Sequence, residues 1–145
     1  MHVIVTLDDN GGMLFNHRRQ SRDAIVNERI LSMIGDKKLF INNFSWKMLK
    51  YAEDKLNITE HFLDVAEEGD FCFVEDKHLK EYEDKIESIY VFKWNRDYPH
   101  DFDFDINLDE WNCTSFEEFA GFSHESIYLE KYVKKNEEAS HEEIQ

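Results

Sequence analysis

The segment FNHRRQSRD (Phe15–Asp23) gathers His17, Arg18, Arg19, Arg22 and Asp23 in a chain that is otherwise strongly acidic. Guanidinium groups form bidentate pairs with carboxylate or phosphate. The block lies between the Gly11-Gly12 turn and the start of a helix, where backbone amides and the helix dipole add positive potential. One reading is a pocket that holds a small anionic, nucleotide-like ligand or the anionic group of a partner protein. Arg96, within WNRDYP, is placed to join that pocket, because loops after the strands of an open α/β sheet converge on one crevice. The other reading is structural. The arginines then pair with acids from the later half of the chain and fasten the domain. Sequence leaves both open.

Two further stretches carry residues of chemical interest. Asp101, Asp103 and Asp105 alternate in DFDFD, and on a strand this puts three carboxylates on one side, a set suited to Ca²⁺ or Mg²⁺. The favoured reading is a solvated edge with Phe102 and Phe104 turned inward, since the glycine and closing Glu of an EF-hand loop are missing. In GFSHES, Ser123, His124 and Glu125 are neighbours in sequence. A nucleophilic triad needs three groups that converge in space, and adjacent strand residues face opposite sides. His124 is therefore read as a structural histidine. No metal site is expected, because Cys72 and Cys113 form no CxxC pair.

Charge sets the wider frame. Residues 1–50 hold eight basic and five acidic residues, a net of +3, while residues 51–145 hold nine and 27, a net of −18. The total of −15 opposes general binding to DNA or RNA, whose phosphates it repels. No apolar run approaches the roughly 20 residues of a membrane span, and the opening HVIVTL is too short for a signal peptide. We expect a cytoplasmic protein. Cys72, inside FCFV, reads as a small core residue rather than half of a disulfide.

The elements that must position these residues alternate. HVIVTL, KLFIN, FCFV and SIYVFKW read as strands, with FCFV apolar on both faces and so central in a parallel sheet. Between them lie a helix from Ser21, taken as its cap, to Gly35-Asp36; short helices in SWKMLKYA and TEHFLDVAEEGD, capped by Ser45 and Thr59; and a polar helix in DKHLKEYEDKI. Trp46, Leu49 and Tyr51 are expected inward. EWNCTS and SIYLEKYV alternate and pair as a closing hairpin. One α/β domain over residues 1–135 follows, with a polar tail at 136–145.

That order of elements resembles dihydrofolate reductase. VIVTLDDNGGMLFN is similar to the family's first strand and glycine-containing flexible loop. GDFCFVEDKHLKEYEDKIESIYVFKW is similar to its strand, cofactor helix and following strand. INLDEWNCTSFEEFAGFSHESIYLEKYVKK is similar to its last hairpin. The resemblance implies a three-layer sandwich with a mostly parallel central sheet and a C-terminal antiparallel hairpin. It also makes Asp23 the candidate for the pterin-binding carboxylate. Arg19 and Arg22 beside it would lower its pKa and salt-bridge it. Two departures bear on activity. The family binds the cofactor pyrophosphate at a Gly-Gly pair after a strand, and here Glu75-Asp76 follow FCFV. Its second phosphate site is a Gly-Arg-x-Thr turn, and here the turn reads NNFS (Asn42–Ser45).

The FNHRRQSRD block and the WNRDYP segment are also similar to those of short bacterial proteins sometimes labelled ribonuclease Z. That class uses a His-x-His-x-Asp-His zinc cluster, and none of the seven histidines here has that spacing. The expectation is a divergent reductase-like protein that is not a working NADPH reductase. It needs no cofactor and binds its ligand or partner through the arginine block. The alternatives are a residual NADPH-dependent reductase, or a hydrolase of a phosphorylated or nucleic-acid substrate.

Overall fold

A computed structural model describes residues 1–135; the tail expected at 136–145 lies outside the described residues. Apolar, β-branched runs form the middle of its sheet. Strand β1 (His2–Leu7) is paired in parallel on one side with β6 (Phe71–Phe73) and on the other with β7 (Ser88–Lys93). Outside β6 come β4 (Leu39–Ile41) and then β5 (Leu56–Ile58), again parallel. Outside β7 lies the antiparallel hairpin of β10 (Ile127–Lys134) and β9 (Trp111–Phe119). The order is β5-β4-β6-β1-β7-β10-β9. Five strands are parallel, and at the edge β10 alone runs against them, because β9 is antiparallel to β10. The sequence anticipates the closing hairpin and four of the parallel strands but not β5.

Side chains alternate across the sheet and feed two cores. Val3, Val5 and Leu7 of β1 and Ile89 and Val91 of β7 pack on one face; Ile4 and Phe92 pack on the other. Helix α1 (Ala24–Met33) buries Val26, Ile30 and Leu31 on the second face, joined by Leu49 of α2 (Asn43–Leu49). Phe62 and Leu63 of the one-turn α3 (Phe62–Val65) cover the first face. The result is three layers. Cys72 is buried and Cys113 exposed, both free thiols, and burial pushes the Cys72 thiol up to about 12.

Several local expectations are corrected. GGMLFNHRR is not a flexible loop but a hairpin, β2 (Gly12–Phe15) and β3 (Arg18–Arg19). Asn16 and His17 fill its turn with φ of 55° and 62°, the left-handed backbone of a two-residue hairpin turn. The hairpin pairs with β8 (Phe102–Asp103) as a second, three-stranded sheet. Helix α1 is capped by Asp23 rather than Ser21, and α2 by Asn42 rather than Ser45. Thr59 does not cap α3; its hydroxyl accepts from the His61 amide. DKHLKEYEDKI yields only a 3₁₀ segment, Lys80–Lys85, that buries no side chain. Tyr51, expected inward, is 65% exposed.

Candidate functional site

Parallel strands bring their carboxyl ends to one edge, where open α/β sheets place ligands. At this edge three polar side chains are buried: Asp8 after β1, Asn42 after β4 and Glu75 after β6. Each is fully engaged. Arg19 donates to both Glu75 oxygens, from Nε at 2.8 Å and a terminal nitrogen at 2.9 Å, and Ser45 Oγ adds a third bond at 2.8 Å. The Arg19 guanidinium also reaches the Phe44 carbonyl at 3.2 Å and lies 4.7 Å from that ring's centre. The Glu75 hydrogen bond raises the pKa of Arg19 further. Asn42 donates to Asp76 at 2.8 Å while its carbonyl oxygen accepts from the Ser45 amide. Asp8 accepts from the Gly12 and Tyr98 amides and from the Gln20 side chain, tying the small sheet and the loop after β7 to the main one.

A second constellation surrounds the start of α1. Asp23 is buried with a carboxylate that accepts six hydrogen bonds. Oδ1 takes the amides of Ile25, Val26 and Phe122; Oδ2 takes the Ser123 amide, the Ser123 hydroxyl and His124 Nδ1, the last at 2.8 Å. Burial alone would push this carboxyl up, but the Phe122 and Ser123 amides and His124 outweigh it and hold the group well below the usual carboxylate range. The low pKa expected for Asp23 is found, but its cause is corrected: Arg19 and Arg22 are not its partners. Gly121 permits the approach, since a Cβ there would lie 2.6 Å from Asp23 Oδ2. His124 is buried, stacks on Trp94 with ring centres 4.8 Å apart, and places Nε2 2.8 Å from Ser21 Oγ.

Six residues were singled out for a ligand site, and they do not surround one pocket. Arg18 and Arg19 line a cavity of about 300 Å³ with Phe15, Gln20 and Tyr98. Arg22 and Asp23 line a cleft of about 420 Å³ with Asn27, Tyr51 and Phe122. His17 is exposed at the hairpin turn, and Arg96 is exposed in the loop after β7, where its carbonyl accepts from the Asp9 amide. The aspartates of DFDFD also part company. Asp101 accepts from the Asn16 amide, Asp103 meets His100, and Asp105 caps the amides of Leu79 and Lys80. Phe102 and Phe104 turn toward the core. Among the described residues no group of three or more His, Cys, Asp or Glu could hold a metal ion.

Sequence reasoning missed Tyr51 and Phe122. Among the described residues Phe122 is the most exposed large apolar side chain, at 80%. A solitary aromatic among glycine and serine in GFSHES was the available signal. Asn27, buried at the cleft on α1, had none beyond its place on the helix face.

The sheet order, the helix packing and the closing hairpin define a dihydrofolate-reductase-like α/β fold. Many solved chains match this structure. A dihydrofolate reductase from Enterococcus faecalis, complexed with NADP(H) and RAB-propyl, matches with a TM-score of 0.67 over 92% of this chain and 95% of its own, at 11% identity. That likeness is one of fold. No family model and no curated protein matches the sequence. Among the described residues no helix is long and apolar enough to cross a membrane.

Proposed function

We propose that this protein binds a small, planar, anionic ligand of nucleotide-like shape in the cleft beside α1, and is not built to reduce a substrate with NADPH. One observation carries the reading: Arg19 is held by Glu75, whereas Arg22, three residues on, makes no ion pair among the described residues and lines a cleft with two exposed aromatics. Tyr51 and Phe122 supply flat apolar faces on which a heterocycle stacks. Arg22 supplies the donor fork for a phosphate or carboxylate, and the buried Asn27 an amide that both donates and accepts.

The structural neighbour is complexed with NADP(H), so that cofactor is the natural rival. The residues present do not fit it. At the turn after β6, where the resemblance expects a pyrophosphate against glycine, a buried carboxylate already takes Arg19 and Ser45, and Asp76 follows it. A diphosphate there would meet two carboxylates and would have to displace the ion pair. Such like-charge contacts are unfavourable at short range.

The test is calorimetric titration with 5′-AMP and 5′-GMP. Binding that weakens tenfold or more in Arg22→Ala, and less than twofold in Arg18→Ala, supports the cleft. Equal loss in both variants, or no binding of either nucleotide, contradicts it.

A further inference from the structure

Ser21, His124 and Asp23 form a continuous hydrogen-bonded chain that the ligand-binding reading does not use. We propose that it is a nucleophile, base and orienting acid, and that Ser21 hydrolyses small carboxylic esters. Ser21 and Asp23 flank Arg22, and His124, 101 residues beyond Asp23, lies between their side chains in space. The three groups converge, which is the requirement that Ser123, His124 and Glu125 fail.

The proton positions follow from the partners. Asp23 is held ionised by its N–H donors, so it can only accept, and His124 Nδ1 must carry the hydrogen at 2.8 Å. With the ring neutral, the lone pair lies on Nε2, and Ser21 Oγ, 2.8 Å away, donates to it. This is the arrangement of an activated hydroxyl. The ring is fixed on both sides, by the Trp94 stack and by the Asp23 bond. Ser21 is half-buried, and Arg22 and Asp23, which follow it, line the 420 Å³ cleft with Ser123. The Arg22 and Ala24 amides donate to no other group among the described residues. Unengaged backbone amides beside a nucleophile are the kind of donor that stabilises a developing oxyanion.

In the acylation step, Ser21 Oγ bonds to the ester carbonyl carbon as its proton passes to His124 Nε2. The carbonyl electron pair moves onto oxygen. Collapse of the tetrahedral species breaks the bond to the alkoxide, which leaves with the proton from His124. Water repeats the sequence on the acyl-Ser21, giving the carboxylic acid and free Ser21. Asp23 acts through His124 and is a positioning residue.

The experiment exposes the full chain to an alkyl fluorophosphonate, followed by intact mass and peptide mapping, alongside hydrolysis of p-nitrophenyl acetate. We expect one adduct, on Ser21, with loss of fluoride. It should be absent in Ser21→Ala, slowed about a hundredfold in His124→Gln and unchanged in Ser115→Ala. The labelling rate should rise with pH as a single group deprotonates, a response that a purely structural histidine would not give. Circular dichroism of Ser21→Ala, expected to match the parent, is the control for folding. An adduct at another residue, equal labelling of folded Ser21→Ala, or no adduct at all overturns the proposal. The outcome is independent of nucleotide binding, since labelling needs no nucleotide and the nucleotide test needs no Ser21 hydroxyl.

Discussion

Arg19 and Arg22 sit three residues apart in one basic block and have opposite environments. Arg19, on β3, points its guanidinium into a bidentate contact with a carboxylate that is 4% exposed. Arg22, just before the cap of α1, is exposed over a cleft. Charge alone does not distinguish them. What differs is what the fold brings to each: the carboxyl end of β6 delivers Glu75 to Arg19, while the turn between β9 and β10 delivers Phe122 and Ser123 beside Arg22. The first end of the block fastens two sheets together. The second makes no ion pair among the described residues and lines the cleft proposed above as the ligand site.

The sharpest way to break this contrast is to remove each arginine in turn. Arg19→Ala leaves Glu75 buried with only Ser45 for company and should cost about 3 kcal/mol, the scale for orphaning one member of a buried pair. Arg22→Ala should stay within about 0.5 kcal/mol of the parent. Urea denaturation measures both, and equal costs would erase the distinction.

Asp23→Asn comes next, at about 2 kcal/mol, because a charged acceptor of several N–H groups becomes neutral. Its pH dependence has a definite sign. The folded pKa lies below the unfolded one, so the stabilisation is complete above about pH 5 and declines as the unfolded carboxyl takes up its proton on acidification. The gap between parent and Asp23→Asn should therefore shrink from pH 7 to pH 3, a trend that denaturation at several pH values reveals.

Gly121→Ala is expected to cost about 1–3 kcal/mol, as its methyl would press on Asp23 and on Ile127. A melting temperature unchanged from the parent would mean that the turn yields without disturbing the carboxylate.

Much of the fold was legible because its signals are local. The apolar runs around Val3–Val5, Cys72–Phe73 and Ile89–Phe92 announce buried strands, and the alternation in the last hairpin announces its pairing. The small sheet was hidden because β3 and β8 have two residues each and hold no apolar pattern. Ser21 and Asp23 are equally good caps by residue type. Asp23 prevails because it binds two amides of its own helix and also meets the turn at residues 121–124. Tyr51 was placed inward by helical spacing, but the chain leaves α2 for a 3₁₀ segment at Lys50 and its face rotates outward.

The site was less legible than the fold. Glu75 was readable as an obstacle to phosphate, but its partner Arg19 is 56 residues away, and His124 is 101 residues from Asp23. Composition and spacing do not encode such pairings. They exist only once strand order brings the segments together, which is why the arginine block read as one site and divides into two.

The most direct test of the central claim is calorimetric titration of the protein with NADPH, with dihydrofolate present and absent, followed by the absorbance change of the mixture. The expected result is no binding in the micromolar range and no oxidation of NADPH. Micromolar binding with turnover would mean that the Glu75–Arg19 pair opens to admit a diphosphate, and would contradict the account.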